Sequence, residues 1–146
     1  MTEIVRWDEP PPMETGSPMP AISLRGGSLF VVYVCQNPEF PGWNPAYSIE
    51  HPGFDVYSAV LEFRGVAQHS MGPPTVDRLH THPLYNFGLE SYDFFEVLDD
   101  GGDGGGRRRW IVTFHDETLD VSAEDCRVLR RRVGGEDTQS ILDSIV

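Results

Sequence analysis

Apolar positions along the chain fall into short runs separated by turn residues, and most of the runs have the length of a strand. Residues 28–35, SLFVVYVC, are continuously apolar and rich in β-branched and aromatic side chains. Such a run predicts a strand covered on both faces. Residues 54–66, FDVYSAVLEFRGV, alternate instead: Tyr57, Ala59, Leu61 and Phe63 share one face, and Val56, Ser58, Val60, Glu62 and Arg64 the other. The first of these faces is the apolar one and is expected to point to the core. Residues 110–121, WIVTFHDETLDV, set Trp110, Val112 and Phe114 against Ile111, Thr113 and His115, with a turn expected at Asp116 and Glu117. In PLYNFGLESYDFFEVL (83–98) neither period repeats cleanly; a short helical turn near 84–90 followed by a strand through Phe94–Leu98 is expected. CRVLRRRV (126–133) reads as a last strand or a charged edge. In DTQSILDSIV (137–146) Asp137 or Thr138 can cap a C-terminal helix with a narrow stripe of Ile141, Leu142 and Ile145.

Turn chemistry separates these runs. Pro38, Pro41 and Pro45 break residues 36–45, and HSMGPPTVDR (69–78) reads as a loop. DDGGDGGG (99–106) reads as a flexible hairpin tip, since it lacks the ligand spacing of a calcium loop. Residues 1–27 hold five prolines and three glycines. That density argues against long helices and central strands. They read as a flexible lead segment, from which Ile4, Val5 and Trp7 can still dock. The expectation is a single α+β domain over 28–146, mainly antiparallel sheet with one or two short helices.

Charge changes the picture of partners. The chain of 146 residues carries a formal charge of −12. An anion of this size repels nucleic acid and anionic lipid and favours a basic partner. All eleven cationic Lys/Arg side chains are arginine, so neither a Schiff-base lysine nor a phosphate loop with its lysine is available. Arg107–Arg109 and the arginines from Arg127 to Arg132 sit among acidic neighbours, which predicts cross-strand neutralisation. No apolar run approaches the roughly 18 residues of a membrane helix. The N-terminus is acidic and proline-rich, unlike a secretion signal. A cytoplasmic location is therefore expected, with Cys35 and Cys126 as thiols.

Two sets of residues carry candidate chemistry. In LHTHPL, Pro83 biases His82 toward extended backbone, and two histidines at i and i+2 of an extended segment leave the same face. His80, His82, His115 and Asp116, with Glu90 as a further donor, could then hold zinc or iron. FHDETLD (114–120) also sets an imidazole beside carboxylates, as a general base requires, but no nucleophile motif accompanies it. The second set is aromatic: Phe40 and Trp43, stiffened by prolines, and Tyr85 are candidates for a binding surface.

The segments FVVYVCQNPEF, HPLYNFGLESYDFFEV and WIVTFHDETLDV together resemble a group of small, uncharacterised bacterial proteins over about residues 29–121. The resemblance implies no activity, substrate or site. That group has one histidine before the Pro-Leu pair, so His80 departs from its pattern. The sequence reading is thus a non-enzymatic cytoplasmic binding protein without a cofactor. It captures a basic protein partner through an acidic, aromatic surface, as an immunity-type or accessory protein does. The alternatives are a metal-dependent enzyme with a His-x-His site and a structural subunit of a larger assembly.

Overall fold

The computed structural model describes residues 2–13, 20–35, 56–99, 108–133, 139 and 142–143. Among the described residues nine strands run in chain order: β1 (Thr2–Arg6), β2 (Ala21–Arg25), β3 (Ser28–Cys35), β4 (Val56–Arg64), β5 (Gln68–Gly72), β6 (Phe94–Asp99), β7 (Arg108–Thr113), β8 (Thr118–Ala123) and β9 (Asp125–Val133). They form two antiparallel sheets, ordered β1-β6-β7-β8-β5 and β2-β3-β4-β9. Helical structure is sparse. Two 3-10 turns, Val76–Thr81 and Tyr85–Phe87, follow β5. Of the expected C-terminal helix, the described residues Gln139, Leu142 and Asp143 are helical.

The two sheets pack face to face because the period-2 pattern gives each an apolar inner side. Leu29, Val31, Tyr33, Ala59, Leu61 and Phe63 from one sheet meet Phe94, Trp110, Val112, Leu119, Val121 and Ala123 from the other. Phe63 and Trp110 lie 5.3 Å apart between ring centroids, as do Tyr33 and Phe94. The outer faces are also covered. Leu142 packs on Ala21, Val32 and Val60. Leu79 and Leu89, from the segment holding the 3-10 turns, pack on Phe95, Val97 and Ile111. This second cover explains why β6 and β7 carry apolar residues on both sides.

The described residues of the lead segment supply two edge strands, β1 and β2. β1 pairs with β6, Ile4 opposite Val97. Trp7 is buried, with its ring 5.8 Å from that of Trp110. β2 and β3 form a hairpin across Gly26 and Gly27, both at positive φ, the geometry of a two-residue primed turn. Between β1 and β2 the prolines are used as a stiff strap: Pro10 and Pro11 are buried, Tyr33 donates its hydroxyl to the Pro11 carbonyl at 2.8 Å, and Met13 bridges to Cys35. Residues 2–13 therefore close one end of the space between the sheets.

The other end is closed by a crossing of two chain segments. Residues 65–67 carry the chain from β4 to β5, and Glu124 carries it from β8 to β9, so both pass from one sheet to the other. The Glu124 amide donates to the Arg64 carbonyl at 2.8 Å, and the Ala67 amide to that of Ser122 at 2.9 Å. Gly65 sits at φ +65°, and a Cβ there would lie 2.6 Å from Glu124 Cδ. β5, expected as loop, is a polar edge strand held by its pairing with β8. No helix among the described residues is long and apolar enough to cross a membrane.

Candidate functional site

The covering segment is fastened to the outer face of β7 and β8 by two buried threonines. Thr118 donates to the Pro74 carbonyl at 2.9 Å, and the Val76 amide donates to the His115 carbonyl at 3.0 Å. At the far end the Thr113 hydroxyl donates to the Glu90 carbonyl at 2.6 Å and accepts from the Asp93 amide at 2.9 Å. Leu79 and Leu89 are pressed between these anchors, each 4% exposed. The side chains facing away from them are therefore displayed on an ordered base.

His82 joins the two turns. Its amide donates to the Leu79 carbonyl at 2.9 Å, its carbonyl accepts from the Tyr85 amide at 3.0 Å, and its Nδ1 accepts from the Leu84 amide at 3.0 Å. An accepting Nδ1 requires the neutral ring with its proton on Nε2. Burial holds this imidazole below its ordinary pKa, against Asp120, which raises it, and with Arg109, which lowers it further.

His80, His82, His115 and Asp116, the residues of the alternative metal reading, do not lie on one extended segment. His80 lies within a 3-10 turn and only His82 is extended, so the backbone that would set both imidazoles on one face is not formed. His115 is engaged elsewhere: its Nδ1 is 2.6 Å from the Tyr92 hydroxyl and its Nε2 is 3.7 Å from Asp116 Oδ1. Both His115 and Asp116 side chains are 57% exposed. Among the described residues, no three His, Cys, Asp or Glu side chains gather closely enough to hold a metal ion. Cys126 is a thiol that burial and Glu9 push upward, away from the reactive thiolate.

Of the aromatic candidates, Phe40 and Trp43 lie outside the described residues. Tyr85 is 41% exposed on the second turn, and Phe87, an aromatic the sequence offers for the surface but not among the candidates chosen for binding, is 46% exposed two residues on. The signal for Phe87 was the Tyr-Asn-Phe-Gly stretch: Gly88 adopts φ 114° and ends the turn, which leaves the flanking aromatics outside. Tyr85 lines a cleft of about 270 Å³ with Val76, Leu79, His80, Leu89, Glu90 and Ser91. Glu90 accepts from Arg6 at 2.6 Å, and the same guanidinium reaches Asp93 at 3.0 Å. One cation thus serves two carboxylates.

A larger hollow of about 880 Å³ opens beside β5, between Leu24, Val66, Gln68, His69 and Ser70 on one side and Arg109, Asp120 and Ser122 on the other. Its two charges engage each other through a two-point contact of 2.9 and 2.6 Å. Arg108 pairs in the same manner with Glu96, and Arg64 with Asp125. For Arg108 and Arg109 the expected cross-strand neutralisation holds. Comparison with protein-family models, curated proteins and solved structures finds no match to this chain.

Proposed function

We propose that the chain acts as a single α+β domain in the cytoplasm and serves as a non-enzymatic binding protein. It captures a basic protein partner through an acidic, aromatic surface, in the manner of an immunity-type or accessory protein. The observation that carries this reading is the joint exposure of Tyr85 and Phe87, 41% and 46%, on one ordered turn. The same segment buries Leu79 and Leu89 almost completely, so its aromatics are not left outside for want of a core. Burying a large apolar side chain is worth roughly 1.5–3 kcal/mol, a gain that these two keep for a partner. The charge of −12 supplies long-range attraction for cations.

The test is titration with an arginine-rich peptide at low and at physiological ionic strength. The expected result is saturable binding that weakens steeply with salt and falls at least tenfold in the Tyr85→Ala/Phe87→Ala double variant. The thermal midpoint of that variant should stay within a few degrees, because both side chains are exposed. No binding at low salt, or equal binding by the double variant, would falsify the reading.

A further inference from the structure

We infer that the cleft between the two 3-10 turns is a receptor for one arginine side chain of the partner, with Tyr85 and Glu90 as its recognition residues. The inference rests on the binding-protein reading and names what that surface recognises. A guanidinium on a methylene stem asks for three things: an apolar floor, a flat aromatic wall and a carboxylate at the far end. Val76, Leu79 and Leu89 supply the floor, Tyr85 the wall and Glu90 the carboxylate, around about 270 Å³. Ser91 adds a hydroxyl acceptor at the same rim.

The local charge decides the sign of the ligand. Glu90 and Asp93 share the single guanidinium of Arg6, so this corner carries one negative charge in surplus. The larger hollow beside β5 does not offer this, because Arg109 and Asp120 cancel there. A planar guanidinium suits the cleft better than an ammonium, since it can lie on the Tyr85 ring while pointing donors at Glu90 in the same plane. An anionic side chain would meet like charge at Glu90 and Asp93, and a purely apolar one would satisfy the floor alone.

The experiment uses the full chain, labelled with nitrogen-15, and two glycine-serine peptides that differ only in a central arginine or its neutral isostere citrulline. The arginine peptide is expected to shift the amide signals of Leu79, Tyr85, Glu90 and Ser91, with an affinity on the order of millimolar for a single side chain. Citrulline should abolish the shifts. Tyr85→Ala and Glu90→Gln should each weaken binding roughly fivefold, while Tyr85→Phe, which keeps the ring face, should bind within about twofold of the parent. Amide spectra of each variant establish that it is folded. Equal binding of the citrulline peptide, shifts confined to Gln68–Ser70 and Ser122, or indifference to both Tyr85→Ala and Glu90→Gln would overturn the proposal. If a polycationic peptide still binds in a Tyr85- and Phe87-dependent manner in those cases, the cleft assignment falls and the binding-protein reading stands. If neither peptide binds, both fall.

Discussion

Gly65 and His82 are the residues where local chemistry decides most. Gly65 is at φ +65°, and its missing side chain makes room for Glu124, whose Cδ would lie 2.6 Å from a Cβ placed there. Alanine there must adopt a left-handed conformation and displace Glu124, so Gly65→Ala should cost about 1–2 kcal/mol. A lower urea midpoint at unchanged slope would report it, and adding Glu124→Ala should restore only the steric part. His82 makes stability depend on pH. Its folded pKa is lowered, chiefly by burial, so the unfolded chain takes up the proton first. Its contribution is complete above about pH 6.5 and is lost as pH falls below that value toward the lower folded pKa. His82→Asn keeps an acceptor for the Leu84 amide, as in an Asx-turn, and does not titrate. The variant should therefore lose less stability than the parent between pH 7.5 and 5.5, read as the difference in urea midpoints. His82 was legible in the sequence as a special residue, but its role was not. The Pro83 signal for extended backbone at His82 was correct, and His80 lay on the other side of a helical boundary that no side-chain pattern marks.

Elements were legible where burial imposes a period. The faces of β4 and β7 follow the alternation of Ala59, Leu61, Phe63 and of Trp110, Val112, Phe114, because each lies between a wet or covered outside and a shared interior. β5, QHSMG, has no such pattern; its backbone is extended because β8 offers it hydrogen bonds, and pairing overrides propensity at an edge. The β2–β3 hairpin did carry a signal, Arg-Gly-Gly-Ser between two apolar stretches, but proline density nearby outweighed it in the sequence reading. Trp7 was legible as a residue able to dock, but not as a member of the core. Since Trp7 is 8% exposed and touches the Phe63, Phe94 and Trp110 rings, Trp7→Ala should cost about 3–5 kcal/mol. Phe87→Ala, on the exposed second turn, should change stability by less than about 0.5 kcal/mol. Chemical denaturation of the two variants side by side separates a ring built into the core from one displayed on the surface.

At the scale of the molecule, the candidate site depends on segments that sequence reasoning cannot bring together. Arg6 comes from β1, Glu90 and Ser91 from the turn before β6, and Val76 from the segment after β5. Only the antiparallel pairing of β1 with β6 sets Arg6 beside Glu90. Net charge, by contrast, was legible at once, and it predicts that association with a cationic peptide slows as ionic strength rises, while dissociation changes less. Stopped-flow measurements over a salt series check this. The pairing of β1 with β6 also has a consequence for how the protein folds. Ile4 lies opposite Val97, and Trp7 packs on Trp110, so docking this strand closes loops of roughly 90–100 residues, a non-local step that slows folding. A chain caught before that closure shows its neighbours an apolar, tryptophan-bearing strand, a template for edge-to-edge association.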